Sequence, residues 1–210
     1  MKERPILFSA PMVRAILDGR KTQTRRVINP QPIWVADPSV PFKTTDADPM
    51  GIINCQHGKP GDRLWVRETW QGYKRVSYEY NEWEEAECVK DVAENGYTSF
   101  VYKADGKNFP DKWLPSIHMP RIASRITLGI VSVRVERLQD ISEHDAIAEG
   151  CIKFPFYSAY TFHDNDKSGH ATHTGAYRKL WESLNGTGSW DLNPWVWVIE
   201  FKRVNNGFSE

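Results

Sequence analysis

The chain of 210 residues carries 27 basic and 27 acidic side chains, a balance without the basic excess of proteins that coat duplex nucleic acid. A hydrophobic content of 40% and nine tryptophans exclude global disorder and suffice for one packed domain with insertions. The sequence has no membrane-length apolar run and no signal-peptide core, and its three cysteines are too widely separated for a disulfide framework. We therefore expect a cytoplasmic protein with no membrane partner.

The first part of the chain predicts a strand, a short helix and a second strand. Residues 5–8 are apolar and predict the first strand. Ser9 suits the N-cap of a helix over residues 10–18, and Gly19 ends that helix. Residues 21–28 alternate and predict the second strand. Basic and hydroxyl side chains are therefore concentrated at a helix-to-strand junction.

The middle of the chain alternates between insertions and strands. Residues 29–60 contain six prolines and few periodic apolar positions, which predicts a loop-like insertion. Residues 63–70 alternate and predict a strand. Residues 71–118 are mixed in composition and predict a second insertion, which contains a strand at residues 97–103.

The next segment predicts one extended element and one capped helix. Residues 121–138 alternate over their whole length, which predicts either one long bent strand or a tight hairpin around Gly129. Ser142 and Asp145 have the spacing of a capping box, and Gly150 ends the short helix that they begin.

The last segment completes an α+β pattern. Residues 151–173 form a polar, histidine-bearing loop, residues 175–184 carry apolar side chains at helical spacing, and residues 195–201 are a nearly continuous apolar strand. Strands outnumber short helices without a regular βαβ rhythm. The sequence therefore predicts one domain over residues 1–210, built as a small barrel or curled sheet with helices at its ends.

The strongest charge concentration lies at the junction after the first helix. Five cations fall within thirteen residues and are opposed only by Asp18; they are Arg14, Arg20, Lys21, Arg25 and Arg26. Because the chain as a whole is neutral, this local cluster favours a small anionic or nucleoside-like ligand, or a short single-stranded segment, over non-specific duplex binding.

Gly19, Lys21 and Arg26 reproduce the Gly-x-Lys-x-x-x-x-Arg signature of the ASCH family, which this chain resembles. Three further blocks agree with the family in the same order: residues 61–68, 140–150 and 197–201. Together with their flanks, the matching segments cover roughly half of the chain. The chain is also similar to the long, tryptophan-rich ASCH proteins met in phage and prophage genomes.

The resemblance implies a fold and a division of the chain. Members of the family have a fold that resembles the small PUA β-barrel with short flanking helices. Relative to the smallest members, residues 29–60, 71–118 and 151–173 are large loop insertions.

The resemblance also implies an activity. Small bacterial members that resemble this core are amidohydrolases that remove the acetyl group from N4-acetylcytidine, with a lysine and a threonine in a Gly-Arg-Lys-Thr-x-Thr segment. Their catalytic roles fall here on Lys21 and Thr24, and the role of their acidic residue falls on Glu149. Neither a metal nor another cofactor is implied. Other relatives are considered RNA-binding modules or have been linked to cleavage of RNA, so a non-catalytic nucleotide-binding module and a single-stranded RNA nuclease remain alternatives.

Amide hydrolysis needs a nucleophile, a base and an acid for the departing nitrogen. An unperturbed lysine is protonated at neutral pH, so Lys21 becomes a base only if burial or a neighbouring cation lowers its pKa. The neighbouring cations are Arg20, Arg25 and Arg26. Glu149 is then expected to protonate the leaving amine or to hold Lys21 in place.

The spacing of Lys21 and Thr24 sets a geometric requirement. In a straight strand, residues three apart point to opposite faces. For both side chains to reach one site, the turn after Gly19 must bend the chain at Lys21 or Thr22.

Five residues are expected to bind substrate: Arg20, Thr22, Arg26, Glu68 and Trp70. Arg20 and Thr22 belong to the family segment. Arg26 is suited to bidentate contact with phosphate or carboxylate oxygens, or to an ion pair with an acid such as Glu68. Trp70 follows a predicted strand end and is the tryptophan expected to line the ligand pocket.

His163, His170 and His173 lie within eleven residues of one another, together with Asp164 and Asp166. Two interpretations are open: a metal site, with His170 and His173 on one helical face, or a mobile polar loop. The glycine, serine and threonine around these residues favour the loop, so we expect no metal site.

Overall fold

The computed structural model describes residues 1–31, 54–74, 98–106, 112–153, 160–161 and 169–204. Its helices are α1 (Ala10–Leu17), α2 (Glu143–Ala148) and α3 (His173–Asn185). Its strands are β1 (Glu3–Leu7), β2 (Gln23–Val27), β3 (Arg63–Arg67), β4 (Trp70–Lys74), β5 (Thr98–Tyr102), β6 (Thr127–Arg137), β7 (Ile152–Lys153), β8 (Tyr160–Thr161) and β9 (Trp195–Val204). None of these helices is long and apolar enough to cross a membrane. The predicted α+β class is confirmed.

Five strands form the central sheet in the order β1-β3-β6-β9-β2. β1 runs parallel to β3, and the other three pairings are antiparallel. The pairs β4–β5 and β7–β8 form separate two-stranded sheets. Within the described residues no ladder joins the edge strands β1 and β2, so backbone pairing does not close the sheet into a barrel.

One hydrophobic core holds α1 and α3 to the central sheet. Alternate side chains of the strands point to the same face and join the apolar faces of the two helices. The cluster includes Val13, Ile16, Leu64, Val66, Leu128, Tyr177, Trp181, Val198 and Phe201. Full burial of one such side chain contributes about 1.5–3 kcal/mol, so a cluster of this size holds α1 and α3 firmly against the sheet. The two helices therefore have fixed positions relative to β2, the edge strand.

The first helix forms as the sequence predicts. Ser9 occupies the N-cap with extended backbone, although its side chain makes no capping hydrogen bond. The helix reaches Leu17, and Gly19 follows with a φ of +74°, a conformation that glycine adopts without strain. The predicted ending of α1 is therefore confirmed.

Of the segment predicted over residues 121–138, residues 127–137 form one strand, residues 121–123 form a 3-10 turn, and the hairpin alternative at Gly129 is wrong. β6 pairs along its whole length with β9, with a shift of register between Ile130 and Ser132. A continuous partner strand removes any need for the chain to reverse at Gly129. The irregularity supplies the bend that the sequence predicted for a single strand.

Three other boundaries differ from the sequence prediction. β2 begins at Gln23 instead of residue 21, and α3 begins at His173 because the hydroxyl of Thr172 accepts a hydrogen bond from the backbone N–H of Gly175. The strand predicted over residues 63–70 divides into two, since β3 pairs with β1 and β6 whereas β4 pairs with β5.

The predicted insertions lie partly outside the described residues. Only residues 29–31 and 54–60 of the first are described. The second contains β4 and β5, and the strand predicted at residues 97–103 is present as Thr98–Tyr102. The single-domain organisation stays a prediction.

Two carboxylates fix the ends of α2 and α3. The predicted capping box is present: Ser142 Oγ accepts from the backbone N–H of Asp145 at 3.0 Å, and the Asp145 carboxylate accepts from the N–H of Ser142 at 3.3 Å. Glu143 accepts from the backbone N–H groups of His173 at 2.8 Å and Thr174 at 3.1 Å. α2 therefore caps α3, and the two helices are held together at their N-termini.

The capping box generates a pH-dependent stability prediction. Burial alone would raise the pKa of Asp145, but hydrogen bonds from Ser142 and Gln23 and the charge on Arg25 lower it from 3.8 to about 2. The stabilisation is therefore present above pH 3.8 and is lost as the pH falls through about 2. We expect Asp145→Asn to cost about 1 kcal/mol at neutral pH.

Urea denaturation at several pH values measures this cost. The difference between wild type and Asp145→Asn is expected to shrink as the pH falls from 3.8 towards 2. Asp140→Asn, at an exposed carboxylate near the same helix, is the control and is expected to show no such difference. A cost for Asp145→Asn that stays constant over this pH range would contradict the prediction.

Candidate active site

The turn after α1 places Lys21 outside the strand alternation. The backbone N–H groups of Arg20 and Lys21 both donate to the carbonyl of Ala15, at 2.8 and 2.9 Å, so the chain folds back over the end of the helix. β2 begins only at Gln23. The chain therefore turns at the end of α1, before Lys21. Whether Lys21 and Thr24 act at one site stays a prediction.

Lys21 is fully buried and satisfied by three acceptors. Its Nζ lies 2.6 Å from Glu149 Oε2, 2.9 Å from the Glu149 carbonyl oxygen and 2.8 Å from the carbonyl oxygen of Gln23. Burial lowers the pKa of Lys21, the contact with Glu149 opposes that shift, and the charge on Arg26 lowers the pKa further. Of the three arginines considered from sequence, Arg26 is the one that acts in the useful direction.

Glu149 reaches Lys21 because the end of α2 is bound to the start of β2. It occupies the C-cap of α2, where its backbone N–H donates to the carbonyl of Asp145, and Gly150 follows with a φ of +104°. The backbone N–H of Thr22 donates to the Ala148 carbonyl at 2.8 Å. Two residues that are 128 positions apart in sequence are thereby brought into contact.

A cavity of about 430 Å³ opens beside this ion pair. Its polar side is formed by Thr24, Arg25, Arg26 and Glu149. Its apolar side comes mainly from β1 and α3, with Leu7, Phe8, Tyr177, Leu180, Trp181 and Leu184. Lys21 is not among the lining residues. Glu149 is therefore the member of the pair that meets the cavity.

Thr24 lies on the cavity with a hydroxyl available for chemistry. Its side chain is 2% exposed, and no hydrogen bond joins it to Lys21 or to any other residue in the described ranges. The Tyr177 phenol lines the same cavity, and burial, followed by the charge on Glu149, raises its pKa well above the ordinary value. Tyr177 therefore stays protonated near neutral pH.

Arg26 connects β2 to the end of β1. Its Nη2 donates to the Leu7 carbonyl, and its guanidinium carbon lies 5.2 Å from the centre of the Phe8 ring. Burial lowers the pKa of Arg26, and its Nε has no partner among the described residues. Among the described residues Arg26 does not pair with Glu68. The N–H of its Nε therefore has no protein acceptor in that part of the chain.

Arg25 is a buried member of the site that the sequence did not single out. Its side chain is 0% exposed and lies between three carboxylates: Glu136 at 3.1 Å, Glu149 at 3.3 Å and Asp145 at 3.4 Å. The sequence signal was only its place in a basic run. The three acids that contact it are more than a hundred residues away.

Arg20 and Thr22 do not line the cavity, in contrast to the sequence prediction. Arg20 pairs with Asp18 at 2.8 Å and donates to the Gly150 carbonyl at 3.1 Å. Thr22 is exposed and contributes backbone hydrogen bonds instead. Arg20 is half-buried and Thr22 is exposed, on either side of the buried Lys21.

Glu68 and Trp70 are also outside the cavity lining. Glu68 is bound through both oxygens by Arg125, at 2.9 and 3.1 Å. Trp70 is 1% exposed and packs with Met119 in a second apolar cluster. The strand break between β3 and β4 turns these side chains into the β4–β5 region, while Thr69 between them lines the cavity.

His170 and His173 are the two described histidines of the polar loop, and their contacts are with protein groups in different elements. The backbone of His170 pairs with Tyr160, and His173 begins α3 and contacts Glu143, so the two do not share a helical face. His163, Asp164 and Asp166 lie outside the described residues. Among the residues that are described, no group of three potential ligands is suited to a metal ion.

The buried pair predicts a specific stability pattern. Removing one partner of a buried ion pair costs about 3–5 kcal/mol, because the remaining charge has no compensation. We expect Glu149→Gln to lower the free energy of unfolding by about this amount, and the double variant Lys21→Met/Glu149→Gln to recover part of the loss.

Urea denaturation of the single and double variants measures this coupling. Asp18→Asn removes an exposed carboxylate from its pair with Arg20 and is the control, with an expected cost of about 0.5 kcal/mol or less. A cost for Glu149→Gln as small as that of the control would show that the pair is not desolvated.

Three comparisons with known proteins were made. No family model, curated protein or solved structure matches this chain. The resemblance to the ASCH family therefore stays a prediction from the sequence.

Proposed function

We propose that this chain is a member of the ASCH family and hydrolyses N4-acetylcytidine or a related N4-acylated nucleoside. The observation that carries the proposal is the fully buried Lys21–Glu149 contact of 2.6 Å, because Glu149 also lines the same cavity as Thr24. This contact supports the proposal because it joins two residues to which the family resemblance gives catalytic roles and which are 128 positions apart in sequence.

The PUA-like barrel is part of this proposal. Leu7 and Phe8 at the end of β1 line the same cavity as Thr24 to Val27 of β2, so the two sheet edges face each other. The hydrogen bond from Arg26 to the Leu7 carbonyl bridges them. A sheet that curls until its edges meet across a ligand cavity is the expected form of a small, partly open barrel.

The cavity fits a nucleoside in size and chemistry. Its volume of about 430 Å³ lies within the range of about 300–1,000 Å³ typical of small-molecule sites. The rings of Tyr177 and Trp181 offer flat apolar walls to a pyrimidine. Arg26 supplies donors for carbonyl oxygens of the base or of the acyl group, since a guanidinium carries more donors than the Leu7 carbonyl accepts.

The reaction assigns a role to each residue. The Thr24 hydroxyl adds to the acyl carbonyl, and its proton passes to the Lys21–Glu149 pair. Glu149, which lines the cavity, returns a proton to N4 as the carbon–nitrogen bond breaks and cytidine leaves. Water then hydrolyses the Thr24 ester to release acetate and restore the hydroxyl. The Lys21 amine does not line the cavity, so Lys21 exchanges protons with the substrate only through Glu149.

The proposal is tested by incubating the purified protein with N4-acetylcytidine and following cytidine by chromatography. Thr24→Val is expected to lower kcat by about 100-fold or more while leaving the fold intact, because it removes only the hydroxyl. Thr22→Val is the matched control, since Thr22 is exposed and outside the cavity lining, and it is expected to retain wild-type activity.

Each outcome of this assay is informative. Absence of turnover by the wild type with several N4-acyl groups would overturn the amidohydrolase assignment. Binding of the nucleoside or of labelled single-stranded RNA without hydrolysis would favour the non-catalytic module instead. Equal activity of Thr24→Val and Thr22→Val would remove Thr24 from the mechanism.

The acid limb of the pH–rate profile is expected below the ordinary lysine pKa. Because burial lowers the pKa of Lys21 from 10.5, the neutral amine is populated at lower pH than in a free lysine. The value of kcat/KM should therefore rise with pH and level off below 10.5. Arg26→Met should move this limb to higher pH, because the charge on Arg26 lowers the pKa of Lys21. A limb at or above 10.5 would contradict the role of Lys21 as base.

A further inference from the structure

Arg25 binds the oxygen of Glu149 that Lys21 leaves free. Lys21 Nζ contacts Oε2 at 2.6 Å, and Arg25 Nη1 contacts Oε1 at 3.3 Å. The carboxylate is thus held from two sides by two fully buried cations. Such a carboxylate has one orientation, because rotation about its last bond would break both contacts.

The other end of the Arg25 guanidinium is anchored to β6 and α2. Its Nη2 lies 3.1 Å from Glu136 Oε2 and 3.4 Å from Asp145 Oδ2. Arg134 binds both of these carboxylates from the solvent side, with its Nη2 at 3.0 Å from Asp145 Oδ1, and also contacts Glu200 on β9. A continuous network therefore runs from the partly exposed face of the sheet to the floor of the cavity.

We propose that Arg25 is a positioning residue that orients Glu149 for proton transfer. Arg25 and Lys21 share the Glu149 carboxylate, each binding one of its two oxygens. This inference rests on the proposed function for its catalytic consequence, but the sharing of the carboxylate is a property of the free protein. By strand alternation the Arg25 side chain leaves β2 on the face opposite those of Thr24 and Arg26, although Arg25 also contributes to the cavity lining. It acts on the reaction through Glu149.

The charges around this group determine the sign of the expected effects. Lys21 is faced by Glu149, Arg26 and Cys151. Arg25 is faced by Glu136, Asp145 and Glu149, and Tyr177 lies near Arg25 and Arg26. Removing the charge of Arg25 leaves Glu149 to Lys21 alone, which favours the protonated amine. Removing the charge of Glu136 has the opposite sign.

The test uses the full chain and two readouts. NMR titration of 13C-labelled lysine side chains, with the Lys21 signal identified by its loss in Lys21→Met, reports the Lys21 pKa without any substrate. We expect Arg25→Met to raise this pKa and Glu136→Gln to lower it. Arg178→Met is the matched control: Arg178 also contacts two carboxylates but is 48% exposed on α3, and its removal should leave the Lys21 pKa unchanged.

Turnover of N4-acetylcytidine supplies the second readout. Arg25→Met is expected to lower kcat by about 100-fold with little change in KM, the cost of a misplaced catalytic group, and to move the acid limb to higher pH. Arg25→Lys retains the charge and should keep the limb near its wild-type position, although kcat falls because one ammonium does not span three carboxylates.

The outcomes separate this inference from the proposed function. An unchanged Lys21 pKa in folded Arg25→Met overturns the role of Arg25, whatever the substrate. If Arg25→Met does not fold, Glu136→Gln decides: a lowered Lys21 pKa supports the network, and an unchanged or raised value overturns it. Opposite shifts in the two variants without turnover by the wild type would retain the role of Arg25 and overturn only the amidohydrolase.

Discussion

The contact between Lys21 and Glu149 is the interaction on which both the fold around the cavity and its chemistry depend. It joins the segment before β2 to the end of α2, two elements that are 128 residues apart in sequence. Each charge alone would cost several kcal/mol to take out of water. At 2.6 Å, with two backbone carbonyls completing the shell of the ammonium, the pair offsets much of that cost. Neither side chain is stable in this position without the other, so the two elements stay docked.

The same burial has opposite consequences for stability and for reactivity. Desolvation makes the charged form of Lys21 expensive, which weakens the folded state but also lowers the pKa of the amine towards a useful range. Glu149 opposes this effect, and Arg26 restores part of it. If Glu149 were the only charged group near Lys21, its attraction would favour the protonated amine, which cannot act as a base. Glu149 also contacts a second buried cation, Arg25, at 3.3 Å, so its charge is shared between Lys21 and Arg25.

Local signals in the sequence predicted more of this arrangement than alternation did. Gly19 and the Ser142–Asp145 capping box identified the ends of α1 and the start of α2, because caps depend on a few adjacent residues. Lys21, Thr24 and Glu149 were named because of the family resemblance, Lys21 and Thr24 from one matching segment and Glu149 from its position near the end of α2. Arg25 was named only as a cation near Lys21, and its carboxylate partners were not predicted, because these acids are over a hundred residues away in sequence. Trp70 was misplaced because the chain changes sheets after Arg67.

The open edge of the sheet explains why the cavity lies where it does. Strands β1 and β2 are the two edges of the central sheet, and within the described residues side chains connect them in place of a ladder. If these edges paired through their backbones, strands about 5 Å apart would leave no space between Leu7 and Thr24 for a ligand. The Arg26 side chain keeps the edges together at a wider distance and still leaves its Nε without a partner. The unpaired edges of the sheet and the cavity between them are therefore one structural feature, and Arg26 takes part in both.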